Sequence, residues 1–123
     1  MKYSTISNAY KSLMKLKDNN FNIKTSYSIY KTIKLIQPQV DFETESVKKI
    51  LDAHKVELDS EGRFRFDDEK KAKKFIEEYN TKMEELMNME IDLTYEKFSI
   101  PLAEDIKLSP ADIEALEPFI DFT

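Results

Sequence analysis

The sequence predicts an α+β fold in which three to four helices pack as a helical hairpin or bundle beside a small antiparallel sheet. Apolar residues recur at three- and four-residue spacing over most of the 123 residues, as they do on amphipathic helices. Two short stretches instead alternate apolar and polar residues, which is typical of half-buried strands. Gly62 is the only glycine, and this scarcity disfavours folds that are built on many tight turns.

Length and composition predict a single domain, residues 1–123, in a soluble protein. Hydrophobic residues make up 41% and charged residues 35% of the chain, which is enough apolar surface for a core of its own. No apolar run approaches the ~20 residues of a membrane span, and "MKYSTISNAYKSLMKL" lacks the apolar segment of a secretory signal. Cysteine is absent, which removes disulfides and Cys-ligated zinc. We therefore expect a cytosolic protein without membrane association.

Two helices are predicted in the N-terminal third. The first opens at Ser4 or Thr5, because either side chain can serve as the N-cap. The segment "KDNNFN" ends this helix, since asparagine adopts turn and left-handed conformations at little cost. The second helix opens near Thr25 or Ser26, where the helical spacing of apolar residues resumes.

The second helix has an apolar face with a polar flank. The tyrosines of "TSYSIYKTIKLI" widen this face at its edge, whereas the lysines of the same segment lie away from it. Pro38 lacks a backbone donor and disfavours helical geometry at the preceding residue, so we expect a kink or a break there. The core-facing positions are Ile29, Ile33, Ile36 and Val40, and the pattern resumes with Phe42, Val47, Ile50, Leu51 and His54.

Three strands are predicted in the remainder of the chain. Residues 56–66, "VELDSEGRFRF", read as a β-hairpin with Gly62 in the left-handed turn position. Residues 91–100 read as a strand with a bulge, because Phe98 and Ile100 are out of phase with the apolar positions before them. We expect the hairpin and this strand to form one antiparallel sheet.

The last two helices have defined starting signals. Asp67 or Asp68 caps the third helix. Ser109 is the predicted N-cap of the fourth, with Pro110 at its first position and Asp112 as the acid of a capping box. The third helix carries the most regular apolar repeat in the chain, and the positions predicted to face the interior are Phe75, Tyr79, Met83 and Leu86.

Four segments carry a resemblance to a known family: "NAYKSLMKL", "IKTSYSIYKTIKLI", "YNTKMEELMNMEIDL" and "KLSPADIEALEPFI". In this order they resemble a family of small uncharacterised proteins of tailed bacteriophages and prophages of Firmicutes, a phage domain of unknown function. The similarity covers nearly the whole chain and departs from the family pattern around Pro38 and in the 59–66 turn. The resemblance implies a viral origin and a location in the host bacterial cytoplasm, and it implies no mechanism.

Residues that catalysis requires are scarce. There is no cysteine, and His54 is the only histidine. A Ser-His pair would therefore have to use His54, and no second histidine can complete a metal-ligand set. Glycine-rich phosphate loops are absent as well. The sequence therefore predicts a protein that is not an enzyme, with no catalytic residue, no metal site and no cofactor.

Charge is distributed unevenly along the chain. The formal net charge is −5, yet residues 1–40 contain seven lysines and a single acid, Asp18. Such a split indicates an anion-binding surface at the basic end, or a basic segment that packs against the acidic remainder of the same fold. DNA binding is disfavoured by the net charge and by the absence of a helix-turn-helix glycine turn.

The start of the second helix is the candidate ligand-binding site. Its tyrosines could stack on a ligand, and its lysines together with the hairpin arginines could bind phosphates, if the hairpin folds over this helix. The alternative interpretation is a core face with an ordinary solvated flank. The candidate residues are Lys24, Tyr27, Tyr30, Lys31, Lys34, Arg63 and Arg65.

Two functions follow from these features. The first is a non-enzymatic bacteriophage accessory protein that binds a protein partner, either a phage assembly factor or a host or defence component that it inhibits. The second is a sponge that sequesters an anionic host signalling nucleotide through the basic N-terminal third; the pockets of such proteins often lie at an oligomer interface, so a homo-oligomer is compatible with this function. The sponge requires lysines and arginines that converge with aromatics in a pocket, whereas protein binding requires an exposed apolar or acidic patch.

Overall fold

The structure is a computed structural model that describes residues 1–66, 68–102 and 106–123. This part of the chain contains four helices and two separate strand pairs. The predicted α+β class is confirmed, and the predicted single antiparallel sheet is wrong. Asp67, one of the two predicted caps, lies outside the described residues. The elements are α1 (Tyr3–Leu16), α2 (Ile23–Ala53), β1 (Glu57–Leu58), β2 (Phe64–Arg65), α3 (Glu69–Met87), β3 (Phe98–Ile100), α4 (Pro110–Leu116) and β4 (Ile120–Phe122).

The two strand pairs differ in direction and lie apart in the fold. β1 and β2 form a short antiparallel hairpin, in which Gly62 takes the left-handed conformation with φ +81°. β3 pairs in parallel with β4, so that Ile100 lies opposite Phe122. The predicted strand over 91–100 is regular only in its last three residues. Its partner comes from the C-terminus, and three residues are too few to produce a periodic signal for β4.

Both N-terminal helices begin earlier than predicted. α1 begins at Tyr3, whose backbone N–H donates to Met89 across the fold at 2.9 Å. α2 begins at Ile23, because the side chain of Asn22 accepts the Thr25 backbone N–H at 2.8 Å. Asn22 is therefore an N-cap, as asparagine often is, and not only a turn residue.

α2 continues for 31 residues through Pro38. The predicted break is therefore absent. Pro38 itself is exposed, and buried residues lie on both sides of it, Ile36 before and Ile50 after. Packing at both halves holds the helix together across the missing hydrogen bond, which is how tertiary contacts override a local preference.

The main core lies between α1, the first half of α2, α4 and the β3–β4 pair. Tyr3 stands at its edge, fully buried, with its hydroxyl donating to Glu43 of α2 at 2.7 Å. Among the predicted apolar positions of α2, Ile29 and Ile36 are buried, Ile33 and Val40 are half-buried, and Phe42 is exposed, against expectation. The buried members of this core are Ile6, Ala9, Leu13, Leu16, Ile29, Ile36, Ile100, Leu116, Phe119 and Ile120.

A second apolar cluster joins the end of α2, the hairpin and α3. Phe75 is its centre, with 1% of its surface exposed. Its ring packs against Phe64 and Phe66 of the hairpin, both at 5.3 Å between centroids, and against Tyr79 at 5.7 Å. The predicted interior stripe of α3 is confirmed, since Phe75 and Leu86 are buried while Tyr79 and Met83 are half-buried. The hairpin thus packs on α3.

The two caps predicted for the later helices are confirmed. Asp68 accepts the Lys71 backbone N–H at 2.7 Å, and Ser109 with Asp112 forms a complete capping box at the start of α4. None of the helices in the described ranges is both long enough and apolar enough to cross a membrane.

Candidate binding surface

Two tyrosines and two lysines form an exposed row on the first half of α2. The rings of Tyr27 and Tyr30 stack with centroids 6.4 Å apart and planes 24° apart. The ammonium of Lys31 lies 5.7 Å from the Tyr27 centroid, and that of Lys34 lies 5.7 Å from the Tyr30 centroid. Helical spacing produces this geometry, because residues three and four apart are neighbours on a helix surface. We call Tyr27, Tyr30, Lys31 and Lys34 the tyrosine–lysine row.

The tyrosines of this row do not belong to the core face. Tyr27 is 60% exposed and Tyr30 is 55% exposed. Tyr27 lies away from the apolar arc, against expectation, whereas Tyr30 lies at its edge, because it lines an apolar cleft with Ile29 and Ile33. Tyr27 is two positions from Ile29, which corresponds to about 160° around the helix. Two aromatic rings exposed in this way, with cations against them, form a surface that a partner can desolvate.

Ile23 extends the exposed apolar surface at the N-terminal end of α2, with 89% of its surface accessible. Sequence reasoning missed this residue because it lies before the predicted helix start. The sequence could have indicated its exposure, because Ile23 lies about 120° around the helix from Ile29 and therefore points away from the core face. Lys24 is also exposed and adds positive charge beside it.

The tyrosine–lysine row stands between two concave surfaces. On one side, Tyr30 lines an apolar cleft of about 130 Å³ together with Phe21 and Ile33. On the other side, Lys31 lines a groove of about 350 Å³ between α2 and residues 94–98. The row is therefore a ridge with a depression on each flank, which is a broad surface and not an enclosed pocket.

The hairpin arginines do not join this surface. Arg63 pairs with Asp59 at 3.1 Å and with Glu61 at 2.9 Å, and Arg65 lies opposite Glu57 in the hairpin. The hairpin follows the C-terminus of α2, and the helical rise places Ala53 about 28 Å from Lys34 along the axis. The predicted site residues thus form two groups, one at each end of α2.

His54 is satisfied by structural contacts. Its Nε2 contacts a carboxylate oxygen of Glu78, and its ring packs edge-on against Phe75. Glu78 also pairs with Lys82 at 2.9 Å; hydrogen bonds from Lys82 and from His54 lower the pKa of its carboxyl group. No group of three acidic or histidine side chains suited to a metal ion occurs among the residues that the structure describes.

Comparisons of the chain with protein-family models, with curated proteins and with solved structures found no match.

Proposed function

We propose that the protein is a non-enzymatic bacteriophage accessory protein that acts by binding a protein partner through the tyrosine–lysine row. The observation that supports this most directly is the exposure of Tyr27 and Tyr30, each more than half accessible. Tyrosine is enriched at protein interfaces, since one rigid ring contributes a large apolar area and a polar tip at little entropic cost.

The chemistry of the partner follows from the charges around the row. Lys24, Lys31 and Lys34 lie on this face, and Lys17 lines the adjoining apolar cleft. An acidic segment with one or two apolar side chains complements both features, because its carboxylates meet the lysines while an apolar side chain enters the cleft beside Tyr30. We infer that such a segment belongs to a phage assembly factor or to a host or defence component that the protein inhibits.

The nucleotide sponge is the weaker of the two functions at this face. It requires the hairpin arginines to converge with the lysines of α2, and Arg63 is instead paired with Asp59 and Glu61. The apolar cleft beside Tyr30 has a volume of only about 130 Å³, below the ~300 Å³ at which small-molecule sites begin, so it suits one apolar side chain of a protein partner better than a nucleotide.

The test is capture of the partner from host cells by tagged variants. We expect the wild type to retain a specific protein that Tyr27→Ala/Tyr30→Ala loses. Phe42→Ala is the matched control, because Phe42 is an aromatic of the same helix, 52% exposed, outside the row. The captured protein is then purified, and its binding should weaken with salt and with Lys31→Glu/Lys34→Glu. Equal capture by the tyrosine variant and the wild type would exclude this surface.

A further inference from the structure

A basic groove lies at the opposite end of α2 from the tyrosine–lysine row. It has a volume of about 410 Å³ and forms where the C-terminus of α2, β2 and the first turns of α3 meet. Its lining contains four cationic side chains, Lys55, Arg65, Lys71 and Lys74, and one acidic residue, Glu57. We call this surface the basic groove.

The fold brings these cations together from three separate segments. Lys55 follows α2, Arg65 belongs to β2, and Lys71 and Lys74 are one turn apart on α3. The hairpin is held against α3 because Phe66 packs on Phe75 with centroids 5.3 Å apart. The convergence is therefore a product of tertiary packing, and sequence reasoning placed only Arg65 among the candidate residues.

The positive charge of the groove is largely uncompensated within the described residues. No salt bridge in that part of the chain joins Lys55, Arg65, Lys71 or Lys74 to a carboxylate. Like charges on neighbouring side chains repel one another. A ligand with several negative charges removes this repulsion when it binds, so the groove favours a polyanion over a singly charged ligand.

The backbone at Lys55 adds a second observation. Lys55 has φ 51°, and it ends α2 in a Schellman motif, in which the Val56 N–H donates to Leu51 at 3.0 Å and the Lys55 N–H donates to Asp52 at 3.2 Å. Glycine is the residue most favoured at this position, because a side chain in the left-handed conformation is strained. A lysine here places a cation in the groove at an energetic cost to the fold.

We propose that the basic groove binds a small ligand that carries two or more phosphate groups, such as a nucleoside diphosphate or triphosphate. The volume falls within the range of small-molecule sites, about 300–1,000 Å³. Arginine and lysine from different directions suit the several oxygens of a phosphate chain. Phe66 contributes an aromatic wall to the same groove. This site is separate from the protein-binding surface and does not depend on it.

The experiment is calorimetric titration of the 123-residue protein at about 0.15 M ionic strength with ATP, pyrophosphate and inorganic phosphate. We expect saturable binding of ATP and pyrophosphate, with inorganic phosphate weaker than both. Lys71→Ala/Lys74→Ala should weaken ATP binding by about tenfold or more, because each lost charged hydrogen bond contributes a substantial part of the affinity.

Two further variants distinguish a specific binding site from non-specific attraction of ATP by surface lysines. Lys70→Ala/Lys73→Ala makes the same charge change on the same helix outside the groove lining. At about 0.15 M salt, where charges more than ~8 Å apart are largely screened, this pair should weaken ATP binding much less than the groove variant does. Lys55→Gly should raise the melting temperature, by relieving the left-handed backbone, while it weakens ATP binding.

Three results would overturn the proposal. The first is the absence of saturable binding of ATP and pyrophosphate by the wild type. The second is an equal loss of affinity in the groove variant and in Lys70→Ala/Lys73→Ala, which would indicate only a diffuse positive field. The third is binding of a single-stranded oligonucleotide through these residues without binding of ATP, which would assign the groove to a nucleic acid backbone.

Discussion

At the scale of single residues, Asp112 is the side chain that ties α4 to α1. One carboxylate oxygen accepts from the Ser12 hydroxyl at 2.8 Å and from Lys15 at 3.3 Å. The other accepts from the Ser109 backbone at 3.2 Å and from the Ser109 hydroxyl at 3.0 Å. These hydrogen bonds, that from Ser12 foremost, lower the pKa of Asp112 from 3.8 to about 2. The capping acid predicted from sequence thus also serves as an interhelical contact.

This shift predicts a loss of stability in acid. A carboxyl group whose pKa is lower in the folded state than in the unfolded chain stabilises the fold at any pH above its unfolded pKa. The contribution of Asp112 is therefore complete above about pH 4 and disappears as the pH falls towards 2. Asp112→Ala should lower the free energy of unfolding by about 1–3 kcal/mol at neutral pH. Thermal melts should therefore converge for the two proteins on acidification. Parallel curves from pH 4 to pH 2 would contradict this assignment.

The cations of the tyrosine–lysine row should be dispensable for folding. Lys31 and Lys34 are exposed, and each contacts one tyrosine ring at 5.7 Å. Exposed cation–π pairs contribute about 0.5–1 kcal/mol, so Lys31→Glu/Lys34→Glu should unfold at nearly the wild-type denaturant concentration. Chemical denaturation measures this directly. A loss above about 2 kcal/mol would contradict this prediction and show that the row supports the fold.

At the scale of elements, α2 contains an internal proline that destabilises the helix locally. Pro38 is exposed and lies within a helix of 31 residues. Proline removes one helical hydrogen bond and crowds the preceding turn, so Pro38→Ala should raise the free energy of unfolding by about 1–3 kcal/mol. The melting temperature of the variant tests this. A decrease would mean that the backbone geometry at Pro38 is needed to align the two halves of α2 with their separate clusters.

The packing of the hairpin against α3 depends on one aromatic residue, Phe75. Phe75 contacts four rings: His54, Phe64, Phe66 and Tyr79. Phe75→Ala should cost about 3–5 kcal/mol, because it removes buried surface and leaves a cavity. Ile76→Ala is the control on the same helix, since Ile76 is 50% exposed and should change stability by about 0.5 kcal/mol at most. An unchanged melting temperature for Phe75→Ala would show that the cluster does not support the fold.

At the scale of the whole molecule, α2 connects two apolar clusters. Its first half contributes Ile29 and Ile36 to the main core, and its C-terminal end contacts Phe75 through His54. We expect both clusters to unfold together, because a helix that spans them transmits the loss of either one. Circular dichroism and tyrosine fluorescence should give coincident urea transitions. Two separated transitions would divide the chain into two independently folding units.

Local sequence determined the features that depend on neighbouring residues. The capping box of Ser109 and Asp112, the left-handed Gly62 and the apolar stripe of α3 follow from spacing and from residue type, and the structure contains all three. The cation–aromatic geometry of "TSYSIYKTIKLI" is also local, because positions three and four apart on a helix are always adjacent. The α+β class itself follows from these periodicities.

Tertiary structure alone decided the features that join distant parts of the chain. Three features have no signal in the local sequence. These are the parallel pairing of β3 with β4, the continuity of α2 through Pro38, and the convergence of Lys55, Arg65 and Lys74 in one groove. Each depends on the way in which the apolar surfaces of distant segments pack together. The periodic pattern of a helix does not fix this packing, because many arrangements of the same helices are compatible with it. The spacing within one helix placed Tyr27, Tyr30, Lys31 and Lys34 together as candidate ligand-binding residues, and only packing showed that Arg63 and Arg65 lie apart from them.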